Sequence, residues 1–170
     1  NNIFFGIKGH KYDGNSFASE ALSMGCSHAV IDNPSYKKDE RYVVVNNSLA
    51  CLQELAAFHR QHLKIPIIGI TGSNGKTTTK ELVSRVLGKK FKTFSTVGNL
   101  NNHIGVPLSV LSIKNNDEIA VIEMGANHIG EIDDLCNIAQ PTHGIITNIG
   151  IAHLEGFGSF EGVIKAKTEL

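Results

Sequence analysis

The stretch "IPIIGITGSNGKTTTKEL", residues 65–82, constrains the fold more than any other part of the chain. A continuous apolar run after Pro66 reads as a parallel strand buried on both faces. A glycine-bearing turn follows at once, and helix-forming residues begin near Lys76. Glycines at such a turn let the backbone curl so that successive N–H groups converge on anionic oxygens. The start of the following helix adds partial positive charge. On this reading Gly72, Ser73, Asn74, Gly75 and Thr78 form a phosphate cradle. Lys76 reaches the terminal phosphates, and Thr77 offers its hydroxyl to Mg2+. The strict phosphate-loop pattern wants a further glycine where Ile70 stands, whereas glycines occur at 69 and 72. The shorter Gly-x-x-Gly-Lys-Thr is met. An ordinary glycine-rich turn is the alternative, but Gly-Lys-Thr-Thr set between a buried strand and a helix favours a nucleotide site.

From this point strands and helices alternate. Strands are expected at 67–70, 91–94, 119–124 and 144–147, and helices at 76–87, 105–111, 129–138 and from 160 onward. That order predicts a parallel sheet covered by helices on both faces. The first sixty-odd residues read as a smaller α/β unit. Its strands lie at 2–7, 28–31 and 42–45. One helix covers 14–25 and stops at Gly25, and a second covers 47–63 with Ser48 as its N-cap. The expected fold is therefore α/β, with a small N-terminal domain, 1–63, and a phosphate-loop domain with a mostly parallel sheet, 64–170.

Composition narrows the function classes. The formal net charge is zero, which argues against a broad electrostatic surface for nucleic acid or anionic membrane. No apolar run approaches the ~20 residues that span a bilayer. Cys26, Cys51 and Cys136 are too scattered for a disulfide framework or a zinc knuckle and read as small buried thiols in a reducing cytoplasm. The chain opens almost directly in a strand and stops inside a helix, so it is expected to be a fragment of a longer protein.

Three polar clusters follow later strands. Glu123 ends the strand in "AVIEMGANHIGEI", where a carboxylate faces the ligand crevice of a parallel sheet and suits Mg2+ beside a nucleotide. A plain surface acid is the alternative. His153 follows another strand in "NIGIAHLEGFGS" and is expected to add a second metal or phosphate contact. Thr96, Asn99, Asn101 and Asn102 make a patch of neutral hydrogen-bonding groups suited to sugar, amide or phosphate oxygens, although such residues also favour turns.

Taken together, "GITGSNGKTTTKEL", "TVGNLNNHIGVPLSVL", "AVIEMGANHIGEI" and "AHLEGFGSFEGVIKAKTEL", in this order and spacing, resemble the Mur ligases over nearly the whole chain. The family uses the shorter loop seen here. The Asn-rich block and "EMGANHIGEI" point to the member that joins D-alanyl-D-alanine to UDP-N-acetylmuramoyl-tripeptide in peptidoglycan precursor synthesis. The resemblance implies that ATP phosphorylates the peptide carboxylate and that the acyl phosphate is attacked by the amine. It implies an N-terminal domain that holds the uridine nucleotide-sugar, truncated at its start. It implies an ATP-binding central domain, here incomplete, and a C-terminal domain absent from this chain, without which the fragment should bind but not turn over. Lys76, Lys167 and His153 are the implied catalytic residues. Thr77, Glu123, His153 and Lys167, the last as a carbamate, are the implied metal ligands. Thr96, Asn99, Asn101 and Asn102 match the substrate-contacting block. The implied protein is a cytoplasmic monomer that uses ATP and Mg2+ and has no nucleic-acid partner or membrane insertion.

Overall fold

The computed structural model describes residues 2–9, 11–150 and 154–170. The chain divides into two compact units, Asn1–Leu52 and Gln53–Leu170. In the first, strands β1 (Ile3–Phe5), β2 (His28–Ile31) and β3 (Tyr42–Val44) form a parallel sheet in sequence order. Helix α1 (Ala18–Ser23) packs on it around Ala18, Leu22, Ala29, Ile31 and Tyr42. The single helix expected over 14–25 is divided. Residues Gly14–Phe17 form a tighter 3-10 turn, because fully buried Asn15 is held by Asp13 and Asp32. Gly25 does stop α1. It sits at φ +102°, its N–H donates to Leu22 and the next N–H, of Cys26, donates to Ala21, which is the left-handed closing motif of a helix.

Helix α2 (Ser48–His62) starts one residue away from its expected cap. The Asn47 side chain accepts from the Ala50 N–H, while the Ser48 hydroxyl is buried with no hydrogen-bond partner among the described residues. The two compact units divide inside this helix, and Ala56 and Leu63 belong to the second unit's core.

The second unit has a four-stranded parallel sheet with β4 (Ile67–Thr71), β5 (Thr93–Ser95), β6 (Ile119–Glu123) and β7 (His143–Ile146) in the order β5-β6-β4-β7. The helices are α3 (Lys76–Leu87), α4 (Gly105–Leu111), α5 (Glu131–Ala139), α6 (Leu154–Phe157) and α7 (Phe160–Lys167). Strand residues alternate between the two faces of a sheet. Ile67, Ala120 and Ile122 join Val106, Val110, Ile132, Leu135 and Val163 in one apolar core. Val121 and Glu123 therefore point to the other face, where α3 packs on β4, β5 and β6. Strand β5 runs two residues later than its expected start, because Phe91 still donates to the last turn of α3 at Leu87. In the register of β4 and β6, Ile70 stands beside Glu123, so the glycine loop and the carboxylate emerge side by side.

Candidate active site

The loop after β4 is built on two glycines that no other residue replaces freely. Gly72 has φ +145°, and a Cβ there would run into the Thr147 hydroxyl; Gly75 has φ +77°. The back of the loop is clamped by the segment after β7. The Ser73 N–H donates to the Asn148 carbonyl (3.1 Å), and the Asn74 N–H donates to Asn148 Oδ1 (3.0 Å). Ser73 Oγ donates to the Gly150 carbonyl (2.9 Å), and Thr147 Oγ1 donates to the Asn74 carbonyl (2.6 Å). Ser73 and Asn74 thus shape the loop, with these N–H groups already committed. The N–H groups at the start of α3 have no acceptor within the helix and form the positive end offered to an anion. Lys76 lies over the loop, its ammonium donating to the Gly72 carbonyl at 2.7 Å and to that of Ser73 at 3.4 Å. The sequence reading marks this segment for His153 and not for Thr147, Asn148 or Gly150, whose partners lie over 70 residues earlier.

Glu123 is 1% exposed. Its Oε1 accepts from Thr77 Oγ1 (3.2 Å) and from Asn101 Nδ2 (2.7 Å). Its Oε2 is buried and has no hydrogen-bond partner among the described residues. A buried carboxylate oxygen left unpaired is costly unless a cation completes it. With the exposed Thr77 hydroxyl beside it, the donor set is all oxygen, which fits Mg2+. Glu123 and Thr77 would hold that ion, and the ion would neutralise phosphate charge.

The Asn-rich block divides by role. Asn101 reaches Glu123, as above, and its carbonyl accepts from the Gly125 N–H. Asn102 Oδ1 accepts from the N–H groups of Ile104 and Gly105 and so caps α4. Thr96 is buried, with its hydroxyl accepting from the Glu123 N–H at 3.0 Å, and holds the strand end instead of facing a crevice. Asn99 is exposed. A cavity of about 520 Å3 opens beside this block, with Lys76, Asn101, Asn102, Gly125, Asn127 and Glu131 among its lining. Burial pushes the Glu131 carboxyl up. The N–H groups of Asn127 and His128 and the His128 ring outweigh it and hold the group below its usual range.

Lys167 is 2% exposed, on α7, and its ammonium contacts the Ala126 carbonyl at 3.4 Å and lies over the Phe157 ring. Burial first, and then the Lys76 ammonium, push its pKa below that of an ordinary lysine, against the pull of Glu131 and Glu169. Lys165, two residues earlier, is exposed. Because the folded value lies below the unfolded one, the unfolded chain binds more protons between them, and stability rises with pH through that window. Lys167→Met is therefore expected to stabilise the chain in CO2-free buffer at pH 7, with the gain shrinking as pH rises toward 10.5. Urea melts across that range check it; a variant less stable at pH 7 would contradict the burial cost. His153, the remaining expected site residue, lies outside the described residues.

Residues 70–170 match the family model described as Mur ligase middle domain. The chain is 44% identical over 170 residues to UDP-N-acetylmuramoyl-tripeptide–D-alanyl-D-alanine ligase of Bacillus subtilis, covering 99% of this chain and 37% of that protein. The ligase of the same name from Escherichia coli is 39% identical over 168 residues, again 99% of this chain and 37% of that one. The crystal structure of MurF from Acinetobacter baumannii superposes with a TM-score of 0.90 at 38% identity, over 98% of this chain and 37% of that one. MurF from Thermotoga maritima, solved in complex with ADP, gives 0.88 at 38% identity, over 98% and 39%. The chain thus spans little more than a third of the length of the relatives it matches. By the family model that covers its phosphate loop, Glu123 and Lys167, and by these relatives, the chain belongs to the Mur ligase family.

Proposed function

We propose that this chain is the nucleotide-binding part of an ATP-dependent amide ligase that adds D-alanyl-D-alanine to UDP-N-acetylmuramoyl-tripeptide in peptidoglycan precursor synthesis. The observation that carries the reading is the Glu123 carboxylate, held beside Thr77 with Oε2 unpaired, next to the loop that bears Lys76. A carboxylate resists attack by an amine because its charge repels the nucleophile. In the proposed reaction an oxygen of the peptide carboxylate attacks the γ-phosphorus and ADP leaves. The amine of D-alanyl-D-alanine then attacks the acyl carbon, phosphate departs, and the nitrogen loses a proton. The start of α3 and Lys76 neutralise the transferring phosphoryl group; Thr77 and Glu123 would hold Mg2+, which would supply the remaining positive charge. The cavity beside Lys76 and Asn101 receives the peptide end. Burial, which lowers the Lys167 pKa, favours the neutral amine that carbamylation requires, and its carbamate would add an anion near that ion. The first unit is assigned to the nucleotide-sugar. We place the protein in the cytoplasm as a monomer; no helix among the described residues is long and apolar enough to cross a membrane.

The test is phosphate release from ATP by the full-length protein that carries this chain, with UDP-N-acetylmuramoyl-tripeptide and with or without D-alanyl-D-alanine. Release that needs both is expected. Release indifferent to D-alanyl-D-alanine but stimulated by another amino acid would move the protein to a different Mur-type ligase. No release with any amine would leave a nucleotide-binding module.

A further inference from the structure

One buried charge lies outside the machinery described so far. Lys80, one turn beyond Lys76 on α3, is 1% exposed. Its ammonium donates to the Thr96 carbonyl at 2.6 Å and pairs with the half-exposed Glu81 carboxylate at 3.1 Å. Burying an ammonium is costly even when it is partly paired, and a Met or Leu of similar volume would pack against β5 and β6 without that cost. The charge is therefore best understood through what it holds.

Thr96 is where the chain leaves the sheet. The ladder between β5 and β6 ends at Ser95 beside Val121. Every polar atom of Thr96 is then used. Its N–H donates to the Val121 carbonyl (3.0 Å), its carbonyl accepts from Lys80, and its hydroxyl accepts from the Glu123 N–H (3.0 Å). A side-chain oxygen thus replaces the strand that would otherwise have continued alongside Glu123. Five residues on, Asn101 returns to grip Glu123 Oε1. Backbone and carboxylate of Glu123 are both held by the segment that starts at the carbonyl Lys80 clamps.

We propose that Lys80 is a positioning residue for the metal site: by fixing Thr96 it anchors the start of the segment whose two ends hold Glu123 and so aim Oε2 at the cation. The inference rests on the assignment of Glu123 as a metal ligand. Groups that orient a metal ligand typically change metal affinity about 10–100-fold when removed.

The test uses Mn2+ as probe, titrated by electron paramagnetic resonance into the chain with a non-hydrolysable ATP analogue. Lys80→Met is expected to weaken Mn2+ binding at least about 10-fold, while analogue affinity without metal changes less than about 3-fold. Thr96→Val, which keeps the carbonyl but loses the hydroxyl, is expected to weaken Mn2+ in the same way. The double variant should lose less than the product of the two, because both act through one segment. A lysine that merely supports the fold would lower the melting temperature and leave the Mn2+ titration unmoved, and that result overturns the proposal. Should Lys80→Met fail to fold, an unmoved titration in Thr96→Val overturns it equally. If the unmutated chain binds no Mn2+ with the analogue, it is the metal-site assignment that fails. If it binds and both variants bind as well, only the role of Lys80 fails.

Discussion

Lys76→Ala is expected to reduce ATP-dependent phosphate release about 100- to 1,000-fold in the full-length protein, the loss typical when one preorganised group facing developing charge is removed. The ammonium now rests on the Gly72 and Ser73 carbonyls, centred over the loop whose helix start is the other positive element. Removing it leaves the loop's clamp to Thr147, Asn148 and Gly150 untouched, so the melting temperature should move by only a few degrees. The substitution has a second, distant signature. Lys76 is one of two causes that push the Lys167 pKa down, so in Lys76→Ala that value should rise toward an ordinary lysine's. Following the Lys167 side chain by NMR against pH checks this. Retained phosphate release with an intact fold would remove Lys76 from the chemistry.

Glu123→Gln has the second largest expected effect, and it should act in opposite directions on function and stability. The amide keeps an oxygen to accept from Thr77 and Asn101 but removes the charge whose Oε2 has no partner. Loss of an anionic ligand should raise the Mg2+ concentration needed for phosphate release at least about 10-fold. In the metal-free chain the same change removes an uncompensated buried charge, which is destabilising where it stands. Metal-free Glu123→Gln should therefore melt at the same temperature or higher, and added Mg2+ should raise its melting temperature less than that of the unmutated chain. A metal-free variant that melts much lower would mean that Glu123 is a structural hydrogen-bonding group with no site to serve. Function at the expense of local stability is a common property of such sites.

The contrast between Glu123 and Ser73 shows how far local sequence reaches. Glu123 was legible because a carboxylate at the end of an apolar run can face only a few places once the run is a central strand. Lys76, Thr77 and the alternation of elements were legible for the same reason: each is a relation between residues a few positions apart. Ser73 and Asn74 were placed in the right loop, but their bonds run to Asn148 and Gly150, more than 70 residues on. Thr96 and Asn102 drew attention as polar residues, yet one holds a strand end and the other caps a helix. The short-range pattern marks a polar residue as unusual without saying which neighbour satisfies it.

The sequence by itself determined the strand–loop–helix unit, the glycine positions that the loop's backbone requires, the two α/β units and the family. Those follow from periodicity, turn chemistry and dipole direction, all local in the chain. The tertiary structure alone decided that the division falls within α2, that Glu123 Oε2 stands unpaired beside Thr77, and that Lys80 is buried against Thr96. Each of those depends on which strand lies next to which. The order β5-β6-β4-β7 sets Glu123 beside the loop, and burial then decides which polar groups are left to act.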